Sequence, residues 1–128
     1  MSLPASQVFL ALGALYGFLG VAFGAFGAHA LRTRLSADML AVWKTAVEYQ
    51  MFHALALLAV GFLLRAGSSS TLLNISGACF AGGVVLFSGS LYALALSGVR
   101  VLGAITPLGG LLFLIGWALL LLVALKPT

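Results

Sequence analysis

The order of apolar and polar residues divides the chain into four long apolar stretches separated by short polar segments. The first, 7–28, carries no charge and as an α-helix would be about 33 Å long, enough to cross a hydrocarbon layer of roughly 30 Å. Similar stretches follow at about 46–64, 72–96 and 104–125. All four are continuously apolar rather than alternating, which excludes the strands of a transmembrane β-barrel. The pattern predicts an all-α integral membrane protein, a four-helix bundle.

A short amphipathic segment, 36–45, is predicted between the first two spans. Ser36 suits the N-cap of a helix, and an acidic residue in the first turn favours the positive end of the helix dipole. At about 100° per residue, one face carries apolar side chains and the other carries polar ones: Met39, Val42, Trp43 and Ala46 against Asp38, Ala41, Lys44, Thr45 and Glu48. We expect an interfacial segment that leads into the second span, with Trp43 at the level of the lipid headgroups.

Two turns and the end of the last span are predicted where charges and helix breakers interrupt the apolar pattern. Arg65 and the run 66–71 end the second span, residues 97–100 form the next turn, and Lys126 with Pro127 ends the fourth span. Pro107 falls in the first turn of that span, where its missing N–H costs least. Because these connections are too short to fold separately, residues 1–128 are predicted to form a single transmembrane domain.

Composition explains why lipid, rather than water, must surround these helices. Of the 128 residues, 63% are hydrophobic and 6% are charged, against about 25% charged in soluble domains. A chain of this length cannot bury so much apolar surface in its own core. The six Lys and Arg residues are scattered and form no basic patch, so the expected partner is the bilayer and not a nucleic acid.

The charges also predict an orientation. Arg32, Arg34, Lys44 and Arg100 lie on one side of the membrane and Arg65 and Lys126 on the other, so the positive-inside rule places both termini outside the cytoplasm. A cleaved signal peptide is the alternative for the first stretch, but no Lys or Arg precedes it and it is longer than a usual signal core.

Small residues are placed regularly along the first and third spans. In the first, the glycines recur at spacings of four, three, four and three, within an arc of roughly 80°: Gly13, Gly17, Gly20, Gly24 and Gly27. In the third, a looser stripe consists of Ala78, Gly82, Gly89 and Ala93. Such faces are typical of close helix packing in membranes. The alternative is a groove that admits a lipid tail or a cofactor ring.

Four polar residues near the first two spans are candidates for a functional cluster: His29, Arg32, Glu48 and His53. Ionisable groups are costly in lipid and are expected to face the bundle or a wet cavity. Glu48 and His53 point about 140° apart on one helix, so their partners must come from other helices. Since the second span runs back along the first, we expect His29 and His53 at comparable depth. The structural alternative is that such groups, like Ser88, Ser90, Tyr92 and Thr106, are hydrogen-bonding residues that fix helix register.

Catalytic and metal-binding motifs are absent from the sequence. It contains no H-E-x-x-H, G-x-S-x-G or P-loop pattern, and the lone Cys79 cannot form an internal disulfide and is expected to be a small packing residue. We therefore expect neither an enzyme nor a bound cofactor or metal.

Four sequence blocks resemble one known family: GAFGAHAL at 24–31, EYQMFHALAL at 48–57, FSGSLY at 87–92 and GAITPLGG at 103–110. They are similar, in order and over nearly the whole chain, to the family catalogued as domain of unknown function 423. The resemblance implies a small, multi-pass protein of the bacterial inner membrane, similar to a small animal transmembrane protein. It implies no activity, because the family has no established molecular function.

Three functional hypotheses follow. The favoured one is a structural or accessory membrane component that acts through its helix faces, as a homo-oligomer or within a larger membrane complex. The alternative is a small transporter or channel that uses the Glu/His cluster. A haem carrier with His29 and His53 as axial ligands is the third, and it requires those two residues to lie close together.

Overall fold

The structure, a computed structural model, describes residues 2–68 and 71–127. This part of the chain contains four long α-helices and no strand, which confirms the predicted fold class. Each helix is long and apolar enough to cross a membrane. They are α1 (Ala5–Ala30), α2 (Ala37–Arg65), α3 (Thr71–Ser97) and α4 (Thr106–Leu125), and a 3-10 turn, Arg100–Ala104, precedes α4.

Helix α2 is unbroken from Ala37, so the segment 36–45 is the beginning of this helix and not a separate element. No glycine or proline interrupts the sequence between Ser36 and Gly61, which lets the helix continue. The Ser36 hydroxyl caps it by accepting a hydrogen bond from the Met39 N–H at 3.2 Å. Trp43, expected at the level of the headgroups, has 7% of its surface exposed, because its ring packs over α1.

Glycines with positive φ mark two of the turns. Gly67 (φ +99°) follows α2 and Gly98 (φ +72°) follows α3, conformations that other residues rarely adopt. The predicted loop 66–71 includes Ser69 and Ser70, which lie outside the described residues. Pro107 is in the first turn of α4, as predicted, because a backbone N–H at this position would have no partner within the helix.

The helices α2 and α3 form the centre of the bundle. Helix α1 packs on α2, α4 packs on α3, and α1 touches α3 only slightly. Across the fully described helices α1 and α4, and likewise α2 and α4, no two Cα atoms lie within 8 Å. The apolar core lies mainly between α2, α3 and α4, with Phe9 from α1: its buried members include Leu57, Val60, Leu73, Phe80, Val84 and Phe113. Because α4 never approaches α2 closely, side chains alone connect those two helices.

Candidate functional site

Helix α2 carries two buried polar side chains one turn apart, Gln50 and His53, with 3% and 5% of their surface exposed. Both lie in the middle part of a membrane-spanning helix. Their hydrogen-bond partners come from different helices, so together they connect α2 to the whole bundle.

Gln50 joins α2 to α1 and α3. Its Nε2 donates to the Tyr16 carbonyl at 2.8 Å, and its Oε1 accepts from the Tyr92 hydroxyl at 2.6 Å. Since a backbone carbonyl can only accept, the amide orientation is fixed by this pair of contacts. The Tyr16 hydroxyl in turn donates to the Ala81 carbonyl at 2.9 Å. These bonds hold the slight contact between α1 and α3 in a defined register.

His53 joins α2 to α4. Its Nδ1 lies 2.6 Å from the Tyr49 carbonyl, and its Nε2 lies 3.0 Å from Nε1 of Trp117. A carbonyl only accepts and an indole N–H only donates, so His53 is a neutral imidazole with its proton on Nδ1. The Phe113 ring stacks on it with the centroids 3.6 Å apart. The contacts thus satisfy both nitrogens of His53 without any charged partner.

The structure does not bring the four candidate residues His29, Arg32, Glu48 and His53 together. His53 is buried, whereas the other three are exposed, and the described part of the chain contains no ion pair among them. The register explains why: Gly27 lies against Trp43 and Gly20 against Met51, so His29 is level with about residue 41 of α2. About 12 residues, or roughly 18 Å of helix, separate that level from His53.

This separation also corrects the haem hypothesis. Axial ligation by His29 and His53 needs both nitrogens within a few ångströms of one iron, and their levels in the membrane are too far apart. Within residues 2–68 and 71–127, no group of three or more His, Cys, Asp or Glu side chains could hold a metal ion. Cys79 is half-buried on α3 as a free thiol.

The buried hydroxyl groups form bonds between helices. The Ser88 hydroxyl donates to the Ala46 carbonyl at 2.7 Å, Ser76 to the Gly116 carbonyl at 2.7 Å, and Ser90 shares a 2.6 Å hydrogen bond with Thr106. In the described part of the chain, every buried side-chain nitrogen or oxygen has a hydrogen-bond partner. The buried polar groups are therefore already used to hold the helices together.

The predicted packing glycines divide into two groups. Gly13, Gly20, Gly24 and Gly27 lie against side chains or backbone of α2, and Gly82 is in ordinary contact with Leu112 of α4. By contrast, a Cβ added at Gly17 or Gly89 would have no neighbour within 4 Å. The close approaches that sequence reasoning missed are at Gly61, Gly77, Gly83, Gly109 and Gly116.

Sequence reasoning also missed that Gln50, Tyr16 and Trp117 form hydrogen bonds between helices. A usable signal existed for two of them, because an amide or an indole N–H in the middle of an apolar span must find a partner there. The Tyr16 contact gave no such signal, since tyrosine is also common at lipid boundaries.

Among the grooves on the outside of the bundle, two contain buried polar residues of α2 in their lining. One, of about 240 Å³, lies between α1 and α3 and is lined by residues that include Leu19, Phe23, Val85 and Gly89. The other, of about 500 Å³, is lined by α2 side chains and by Trp117 of α4, with His53 among its lining residues. Both follow from the packing order, because α1 hardly touches α3 and α4 stays away from α2.

Comparison with known proteins places the chain in a family. A family profile described as a protein of unknown function (DUF423) matches residues 23–110. A UPF0382 membrane protein of Staphylococcus saprophyticus is 49% identical over 120 residues, which cover 94% of this chain and 98% of that protein. The UPF0382 membrane protein YwdK of Bacillus subtilis is 45% identical, with 94% and 98% covered. No solved structure matches. The chain is therefore a multi-pass membrane protein that belongs to the DUF423 family, whose molecular function is unknown.

Proposed function

We propose that this protein is a self-assembling structural or accessory component of the membrane, and not an enzyme. The observation that carries the proposal is an exposed outer face of α3, on which small residues lie among larger apolar side chains such as Val85 and Leu96. Ala78, Gly89 and Ala93 are exposed on this face, and at about 100° per residue they fall within an arc of roughly 60°.

Small residues let helix backbones approach closely, and this is the usual way in which helices associate in lipid. The neighbouring groove between α1 and α3 extends the face, because Gly89 and Val85 line it together with Phe23. We expect a helix of a second copy to pack along this face, with the usual 8–10 Å between helix axes. The proposed partner is therefore another molecule of the same chain, alone or within a larger complex.

The polar groups favour assembly over chemistry or transport. Gln50 and His53 are both used in bonds between helices, which leaves neither free as a base or an ion ligand. The exposed residues Glu48, His29 and Arg32 do not gather around one pathway. No specific observation favours the transporter hypothesis.

For the location, we propose the bacterial inner membrane with both termini outside the cytoplasm. The two connections at one end of the bundle carry or adjoin Arg32, Arg34, Lys44 and Arg100, against Arg65 and Lys126 at the other end. Positive charges are enriched on the cytoplasmic side. A reporter that is active only in the cytoplasm should be silent when fused after α4, and its activity there would reverse the orientation.

Cysteine crosslinking in intact membranes tests the assembly. In a Cys79→Ser background, Gly89→Cys should give a disulfide-linked dimer on mild oxidation, because the same face meets itself across a two-fold interface. The matched control is Leu114→Cys on α4, an equally lipid-exposed position that should remain monomeric. Equal crosslinking at both positions, or none at Gly89, would count against the α3 face.

A second measurement does not depend on cysteine chemistry. Gly89→Leu should lower the mass of the particle in mild detergent without lowering its thermal stability, since its Cβ would have no neighbour of the chain within 4 Å. An unchanged mass, or a monomer in the unmodified protein, would show that the chain does not assemble through this face.

A further inference from the structure

The larger groove of the molecule has the features of a ligand site. Its volume of about 500 Å³ lies within the range of roughly 300–1,000 Å³ that small-molecule pockets occupy. Its α2 side is shaped by the small side chains of Ala56 and Ala59, and aromatic residues Tyr49, Phe52 and Trp117 also line it. Phe52 is 58% exposed, so the groove is accessible from the lipid.

The polarity of the groove restricts what could bind. Among the described residues that line it, His53 is the one imidazole and none carries a charge. Because Nδ1 donates to the Tyr49 carbonyl, Nε2 can only accept a hydrogen bond. A ligand that uses this atom must therefore bring a donor, either a hydroxyl or an N–H group.

The depth of His53 restricts the ligand further. His53 stands 16 residues after Ala37 and 12 before Arg65, or about 24 and 18 Å from the two ends of α2. A carboxylate, phosphate or ammonium group at this depth would be costly without a charged partner. The ligand must be neutral and largely apolar.

Trp117 of α4 shows how such a ligand would be held. Its indole N–H donates to His53 Nε2 at 3.0 Å. Trp117 is thus an aromatic ring with one hydrogen-bond donor, and it is the present partner of this acceptor nitrogen. Yet 45% of the Trp117 surface is exposed, and the α4 backbone stays beyond 8 Å from that of α2 in these fully described helices. The side chain can therefore move aside without separating two packed backbones.

We propose that this groove binds a neutral aromatic alcohol from the lipid phase, whose hydroxyl donates to His53 Nε2 in place of Trp117 and accepts a hydrogen bond from the displaced indole N–H. The ring of the ligand packs against Tyr49 and Phe52, and Trp117 moves toward the lipid to admit it. This site does not depend on the proposed self-assembly, which uses the opposite groove and the outer face of α3.

Fluorescence quenching of the full-length protein in lipid nanodiscs tests the site. The chain has two tryptophans, so Trp43→Phe leaves Trp117 as the reporter. The probe is 4-bromophenol, whose bromine quenches on contact, and the matched compound is 4-bromoanisole, which lacks the donor. We expect saturable quenching by the phenol at a concentration about fivefold lower than by the ether, the effect of one hydrogen bond. Trp117→Phe, which retains Trp43, should show only non-saturable quenching.

Two variants decide the outcome. His53→Phe removes the acceptor and should abolish the difference between phenol and ether. Ala59→Leu fills the groove from the exposed side of α2, so it should remove saturable quenching while the protein stays folded, even if His53→Phe does not fold.

Other results would overturn the proposal. Equal quenching by both compounds would show that no hydroxyl donates to His53 Nε2 and that the groove does not select an alcohol. No quenching at all, together with a change of particle mass in Ala59→Leu, would show that a second copy covers it. Saturable quenching that persists in Ala59→Leu would place the phenol elsewhere.

Discussion

The two helix pairs at the sides of the bundle both rely on glycine, but they use it differently. Between α1 and α2, most of the glycines lie on α1, and the side chains that fill the space, such as Met51 and Leu58, come from α2. Between α3 and α4 the arrangement is reciprocal. Phe113 of α4 packs on Gly83 of α3, and Phe80 of α3 packs on Gly116 of α4.

The difference lies in what each glycine touches. On the α1–α2 side, several neighbours are ends of flexible side chains that can shift, although Gly13 also lies against the backbone carbonyl of Ala54. On the α3–α4 side, the neighbours are aromatic rings, each packed on a glycine of the opposite helix. At Gly109 the neighbour is the backbone of Phe87. The comparison teaches that the α3–α4 pair is the more rigid one and should tolerate added methyl groups least.

The largest effect is expected at Gly109. Gly109→Ala would place its Cβ against the Phe87 backbone N, which cannot rotate away, so we expect a loss of about 3 kcal/mol or more in unfolding free energy. Denaturation in sodium dodecyl sulfate, followed by circular dichroism, measures it. Gly110→Ala is the matched control, since its Cβ would lie 3.9 Å from the Phe87 ring and should cost little. Equal stability of the two variants would contradict the rigid α3–α4 contact.

Gly27 on α1 should give the next largest effect. Gly27→Ala would push against the Trp43 ring, which would have to give up the 2.9 Å hydrogen bond from its Nε1 to the Phe23 carbonyl. We expect a loss of about 2 kcal/mol and a red shift of Trp43 emission in a Trp117→Phe background. Gly24→Ala, where the neighbour is Cγ1 of Val47 at 3.1 Å, should be milder. If Gly24→Ala and Gly27→Ala both cost as much as Gly109→Ala, the α1–α2 pair would be as rigid as the α3–α4 pair.

Ser76 separates hydrogen bonding from glycine packing on the α3–α4 side. Ser76→Ala removes the 2.7 Å bond to the Gly116 carbonyl and adds no volume, so we expect a loss of about 1 kcal/mol in the same denaturation assay. Ser97→Ala, at the exposed end of α3, is the control and should be nearly neutral. If Ser76→Ala costs as much as Gly109→Ala, hydrogen bonding rather than close packing holds this pair.

The smallest effect is expected at Gly17, the one glycine of the α1 stripe whose added Cβ would meet nothing within 4 Å. Gly17→Ala should leave the unfolding free energy unchanged or raise it by a few tenths of a kcal/mol, because alanine favours the helix. A loss comparable to that at Gly27 would show that Gly17 contacts another molecule in the membrane.

The fold was predictable because lipid imposes simple requirements on the chain. Continuous apolar stretches long enough to span the bilayer, with Ser36 as a cap and Gly67 and Gly98 in the turns, leave few alternatives to four helices. Most of the packing glycines of α1 could also be predicted from the sequence, because glycines that all face one partner helix recur with the period of the helix.

The polar centre was harder to predict, because its partners are distant in the sequence. His53 was singled out, but its partner Trp117 lies 64 residues away and Gln50 bonds to Tyr92, 42 residues away. A periodic pattern on one helix carries no information about which residue of another helix stands opposite. For the same reason, the reciprocal pairs of α3 and α4, such as Gly83 with Phe113, escaped detection.

The expected depth of His29 failed for a geometric reason. Antiparallel helices return to the same level only at matched distances from their connection, and His29 lies near that connection while His53 lies far along α2. Counting residues from the turn would have separated the two histidines from the sequence alone.

The order of helix contacts bears on how the protein enters the membrane during synthesis. Each helix packs most extensively on a helix adjacent in the sequence, α1 on α2 and α4 on α3, so each hairpin can close as soon as its second helix leaves the ribosome. The bonds of Gln50 and His53 to α3 and α4 then join two hairpins that are already formed. Two halves expressed as separate chains, divided between α2 and α3, should therefore copurify, and failure to do so would show that hairpins formed separately do not associate.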